Sequence, residues 1–348
     1  MKILLPLDSS DYSRAAFETI AGATWLGASE ILLVTVVRAI EPLMPFAIDE
    51  KAVAREQEVL NEKSDWLMGL ADNLRKTLPG CRINFRVKFG DVREALIDTA
   101  VDEDFDLVIM GSHGRGSVER IFVGSVAQAV LEHAPAAVLI IKVGESGRRA
   151  GTTKFKRILI PYDGSIYSGD TISWLANRSW QPGTRFHLVM SIPEFEEVEK
   201  RGVSRGEAEL LKDQWHHIKE RAFEILEEAA LKLGKRCGNE NVSVDAVPGE
   251  PQRALLQAAN KFKADLIACG SHGRSGLSRL LIGSVSMHLV NNAPCPVLVI
   301  KRLAGSESSA HAHQEAAHHA NAPEPLSAEP AQEKRKTVSE TRPPFTMM

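Results

Sequence analysis

Two stretches of this chain carry residue types that could do chemistry on a phosphate. The first runs from Asp106 through Leu-Val-Ile-Met to Gly111, continues Ser-His-Gly114-Arg115, and reaches Gly124-Ser125. The second runs from Asp265 through Leu-Ile-Ala-Cys to Gly270, continues Ser-His-Gly273-Arg274, and reaches Gly283-Ser284. In each, two residues separate the first pair of glycines and nine more precede Gly-Ser. The pattern reads as an apolar strand, a tight glycine turn and a helix start. There, bare backbone N–H groups and the positive end of a helix dipole can hold an anionic oxygen. Gly111 and Gly114 are expected to give the turn unusual dihedrals and to let phosphate approach the main chain. The amides at Gly124 and the Ser125 hydroxyl are expected to donate to it. Arg115 and Arg274 either neutralise its charge or form surface ion pairs.

An aspartate precedes each stretch, in Pro6-Leu-Asp8-Ser-Ser10 and Pro161-Tyr-Asp163-Gly-Ser165. Asp8 and Asp163 are placed to accept hydrogen bonds from a ribose or a base, or to approach a metal; a turn cap is the competing reading. His113 and His272 read as loop histidines bonded to backbone rather than as bases. No catalytic residue and no metal site is assigned. The standard phosphate loops fail: no Gly-x4-Gly-Lys-Ser/Thr is present, and the stretches do not fit Gly-x-Gly-x2-Gly with a ribose-binding acid downstream.

These residues need a scaffold. Residues 2–7 read as a strand, and Ser9 or Ser10 caps a helix carrying Ala15, Ala16, Phe17, Ile20 and Ala21, closed by Gly27. Residues 30–37 are apolar on both faces, the mark of a central parallel strand. A charged helix over roughly 48–78 with an apolar stripe, a half-exposed strand over 82–88 and a helix from Asp91 to about Val101 follow. The strand before Gly111, a helix ending near His133 and a strand over Val138–Lys142 complete the unit. Trp66, Trp174 and Trp215 fall on helical patterns and read as packing residues. Strand–helix alternation at these lengths predicts a parallel sheet with helices on both faces. Ligands of such sheets sit beyond the carboxyl ends of the strands. That end gathers Asp8, Val37 and the glycine stretch in one half, and Asp163, Ile192 and the glycine stretch in the other.

The order then repeats. Asp163 lies 155 residues after Asp8, whereas Gly249, Gly270, Pro294 and Lys301 lie 159 after Gly90, Gly111, Pro135 and Lys142. A net insertion of four residues is expected around 193–236. A repeat of this length predicts duplicated domains, each long enough to bury its own core. The expected boundaries are a first domain over 1–143, a linker over 144–154, a second domain over 155–302 and a disordered tail over 303–348, rich in Ala, Glu, His, Ser and Pro.

Composition narrows the partners. Net charge is −3 with no basic stripe, so no nucleic-acid partner is expected. No apolar run approaches the ~20 residues that span a bilayer, and the apolar start is too short for a signal peptide, so no membrane partner and a cytoplasmic location are expected. The four cysteines form no CxxC or zinc spacing and read as reduced thiols in or near a core.

Both halves resemble the universal stress protein family. The family signature G-2x-G-9x-G-S/T falls on Gly111, Gly114, Gly124 and Ser125, and again on Gly270, Gly273, Gly283 and Ser284. Its V-P-x-D-x-S appears as Leu5-Pro-Leu-Asp8-Ser-Ser10 and Ile160-Pro-Tyr-Asp163-Gly-Ser165. The closing P-V-L-V-I is present over Pro296–Ile300, whereas the first copy departs with Ala136-Ala137-Val138. The resemblance implies two Rossmann-like α/β domains, each with a five-stranded parallel sheet. It implies ATP as ligand, with Mg2+ as a possible companion, and dimerisation through the last strand, which in a tandem chain becomes domain pairing in cis, with further association into a homodimer left open. Glu119 departs from Ser278 in the phosphate segment, which ranks the second site above the first. Three functions remain open: a nucleotide-binding stress-response module, a slow ATPase or phosphotransferase, and an interaction protein without nucleotide. Gly270→Val and Gly273→Val are expected to abolish binding in the second domain while the fold persists.

Overall fold

The structure is a computed structural model, and it describes residues 1–23, 27–38, 50–114, 123–143, 155–195, 205–273 and 282–301. Strand β1 (Lys2–Pro6), helix α1 (Asp11–Ala21), β2 (Glu30–Val37), α2 (Glu50–Thr77), β3 (Arg82–Phe89), α3 (Val92–Asp102), β4 (Leu107–Gly111), α4 (Ser125–His133) and β5 (Ala137–Ile141) form the first half. The second half repeats them as β6 (Arg157–Pro161), α5 (Ile166–Ala176), β7 (Arg185–Ile192), α6 (Arg205–Cys237), β8 (Val242–Pro248), α7 (Pro251–Phe262), β9 (Leu266–Gly270), α8 (Ser284–Asn292) and β10 (Val297–Ile300).

The ten strands among the described residues lie in one sheet, in the order β3-β2-β1-β4-β5-β10-β9-β6-β7-β8. Each half is parallel throughout. The halves meet where β5 and β10 run antiparallel, with Leu139 opposite Leu298. Those two leucines hold equivalent places in the repeat, so a local two-fold relation passes between them. The cis pairing implied by the family resemblance is therefore built from the last strand of each copy.

The strands are apolar without alternation because both faces are covered. Along β1, Ile3 and Leu5 face one buried cluster with Phe17, Leu67 and Leu74 of α1 and α2, while Leu4 faces the other with Leu96 and Val130 of α3 and α4. The edge strand β3 alternates between exposed and covered positions, as its Arg-Ile-Asn-Phe-Arg pattern requires. Ser10, not Ser9, caps α1: its Oγ accepts from the Ser13 amide at 3.1 Å. Ser9 sits at φ +65°, where the second copy has Gly164 at +77°. The helix stops at Gly22 rather than Gly27, which lies beyond it at φ +59°. The spacing of the copies is still 155 residues through β7 and becomes 159 at β8, so the insertion lies between them as expected. The linker and the tail fall outside the described residues.

Candidate functional site

Residues at the carboxyl ends of β1, β2 and β4, with the start of α4 and flanking helix residues, line a cleft of about 670 Å³ in the first half. Asp8, Val37, Gly111, Gly114, Gly124 and Ser125 all line it. Asp8 follows β1, and its Oδ1 accepts from the Ser10 amide at 3.0 Å, an Asx turn that leads into the cap of α1. Its Oδ2 stands 2.8 Å from where a Cβ on Gly114 would be. Asp163 and Gly273 repeat this approach at 2.9 Å, and Ser165 N donates to Asp163 Oδ1 at 3.0 Å.

The signature glycines are required by close packing, not by unusual dihedrals. None of those in either copy is among the described glycines with positive φ, and Gly124 and Gly283 are extended at φ −61° and −59°. Gly111 ends β4 under α1: a Cβ there would meet Tyr12 Cβ at 2.5 Å and its carbonyl carbon at 2.7 Å. Gly270 meets Tyr167 in the same way at 2.8 Å. Both are buried, so valine at Gly270 would push strand from helix, and the expectation that the fold persists in that variant is corrected. The Gly124 amide, expected to donate to phosphate, instead donates to the Ser112 carbonyl at 2.8 Å, and the Gly283 amide does the same to Ser271. The unclaimed donors are those of the first turn of α4, which has no side-chain cap. Ser125, Val126 and Ala127 of that turn line the cleft.

The loop histidines pair with side chains rather than backbone. His113 Nδ1 lies 3.0 Å from Ser112 Oγ and its ring packs at 5.0 Å against Tyr12; His272 does the same with Ser271 and Tyr167. The Nε2 atom of each is buried without a hydrogen-bond partner. The aspartates that open each stretch are structural ties: Asp106 accepts from Lys2 N at 2.7 Å and Asp265 from Arg157 N at 2.8 Å, pinning the start of one strand to its neighbour. Arg115, Arg274, Glu119 and Ser278 lie outside the described residues.

Sequence reading missed two cations. Lys63 and Arg38 both line the cleft. Lys63 falls three residues after Leu60 and four before Leu67, on the inward stripe of α2. A lysine on an apolar stripe is the signal that was there to find. The halves also differ. Val37 is half-buried at the cleft, whereas Ile192 is only 3% exposed and joins the apolar cluster that holds Ala222 and Leu226 of α6.

The sequence model described as "Universal stress protein family" matches residues 1–142 and again 154–301. The chain belongs to the universal stress protein family. It is a tandem member, with two such domains in one chain. A universal stress protein of Methanocaldococcus jannaschii is 30% identical over 156 residues, covering 44% of this chain and 86% of its own. One from Mycolicibacterium smegmatis is 24% identical over 310 residues, 86% of this chain and 96% of its own, so the similarity spans both halves of this chain. The crystal structure of a universal stress protein from Archaeoglobus fulgidus covers 87% of this chain and 97% of its own at 20% identity, with a TM-score of 0.59, and carries the fold. Among the described residues of this family member no helix is long and apolar enough to cross a membrane.

Proposed function

We propose that this universal stress protein is an ATP-binding module of the stress response, acting in the cytoplasm by occupancy rather than by turnover. One observation carries the reading: a helix start without a side-chain cap opens on a cleft that Asp8, Lys63 and Arg38 also line. The amides of Ser125, Val126 and Ala127 suit the phosphates, the lysine and arginine suit their charge, and Asp8 suits a sugar hydroxyl. Val37, half-buried at the cleft, offers apolar contact to a base. Asp8 is the one carboxylate among the described lining residues. A Mg2+ ion would therefore be held by phosphate oxygens and water more than by protein.

The geometry favours the first domain as the tighter site, reversing the order that Glu119 suggested, because Ile192 is withdrawn into the core where Val37 is not. In the second domain Asp163 and Gly273 keep the same close approach, and Gly283 again precedes a helix, starting at Ser284, that has no side-chain cap. Both β5 and β10 are flanked on each side within one chain, so a homodimer would use another surface. Native mass spectrometry of the purified chain tests the reading. One or two adenine nucleotides retained per chain is the expected result; none retained, and none taken up on adding ATP with Mg2+, would leave an interaction protein. Phosphate release at background is expected alongside.

A further inference from the structure

The first domain's site is not built by the first domain alone. Val123 directly precedes Gly124, the residue from which α4 starts, and its amide donates to Asn291 Oδ1 at 3.0 Å. Asn291 belongs to α8 of the second domain. The end of α8 is held in turn by the first domain, where Lys142 Nζ donates to the Asn291 carbonyl at 3.1 Å and the Ala293 carbonyl at 2.8 Å. The far end of α4 receives the reciprocal contact, Lys301 Nζ to the Val130 and Ala134 carbonyls. So α4, whose first-turn amides open on the cleft, is tied to the second domain at both ends.

The tie at the start of the helix runs in one direction. The position equivalent to Asn291 in the first copy is Glu132, and that equivalent to Val123 is Ile282. Glu132 accepts from Gln128 Nε2 of its own helix at 2.9 Å and lies beside Lys301. A partly buried amide such as that of Val123 is best satisfied by an acceptor, and a single side chain from the other domain supplies it.

We infer that Asn291 is a positioning residue for the first domain's nucleotide site, so that this site depends on the pairing of the domains in a way the second does not. The nucleotide part rests on the ATP reading above; the tie itself does not. Hydrogen exchange of the full chain tests both. In nucleotide-free protein, Asn291→Leu keeps volume but removes the acceptor, and the Val123 and Gly124 amides should exchange at least tenfold faster while Ile282 and Gly283 stay unchanged. Asn291→Asp keeps an acceptor and should retain wild-type protection at Val123. Titration with ATP, followed at each segment separately, should show about tenfold weaker binding at the first site of Asn291→Leu and unchanged binding at the second. Unchanged exchange at Val123 and Gly124, or equal acceleration of both segments, overturns the inference. A wild-type chain that gives no response to ATP would defeat the nucleotide reading, while the nucleotide-free exchange still decides whether Asn291 holds α4.

Discussion

Glycines that look alike in the signature answer to different neighbours, and substitutions separate them. Alanine at Gly111 drives a methyl into the backbone of Tyr12, which cannot yield cheaply. Gly111→Ala should cost about 1–3 kcal/mol, the usual range for overpacking, and lower the melting temperature accordingly. Alanine at Gly114 meets only the tip of the Asp8 side chain. Gly114→Ala should leave the melting temperature nearly unchanged and displace the carboxylate from its place in the cleft. Ser9 gives a prediction of opposite sign. Its left-handed backbone strains a side chain where the second copy uses glycine, so Ser9→Gly should stabilise the chain by up to about 1 kcal/mol in denaturant unfolding. The residue types and spacing made the site legible in sequence. What they hid was the reason for the glycines, because the partner that each one excludes, Tyr12 or Asp8, lies about a hundred residues away.

At the scale of elements, the reciprocal lysines matter most. Lys142 follows β5, Lys301 follows β10, and each caps the last turn of a helix in the other domain, where carbonyls lack intrahelical partners. Burial pulls both ammonium groups down to about 8 from an ordinary 10.5. Between roughly pH 8 and 10.5 the unfolded chain then holds protons that the folded chain has released. These lysines therefore make folding more favourable as pH rises through that window, and below it their burial costs a constant amount. Replacing both with methionine should abolish that rise: the melting temperature of wild type relative to the double variant should climb from pH 8 to 10. A flat difference would show that the groups titrate normally. The succession of strands and helices along the chain and the place of the four-residue insertion were readable, because hydrophobic period is local and the offset between the copies can be counted; the order of strands in the sheet was not. The lysine caps were not, since Lys142 and Lys301 look in sequence like ordinary strand-end charges. The end of α1 was misread for a local reason: Gly22 closes the helix without the left-handed turn that Gly27 supplies later.

In the whole molecule, duplication turns what would be an interface between two chains into the middle of one sheet. Strand β5 is buried along its length, 4% exposed or less at every residue, and it owes one edge to β10. Residues 1–143 expressed alone should expose that edge and its apolar faces, and so pair with a second copy; sedimentation should find a dimer rather than a monomer. Joining the domains in one chain fixes their stoichiometry and frees the two halves to diverge. Val37 against Ile192, and Asn291 against Glu132, are places where they have done so. The central claim is that the cleft between Asp8 and the start of α4 holds ATP. Calorimetric titration of the full chain with ATP and Mg2+, wild type beside Gly114→Ala, tests it most directly. Saturable binding in the wild type that weakens at least tenfold in the variant, at an unchanged melting temperature, is the expected result. Equal affinity in the two proteins, or no binding in either, would contradict it.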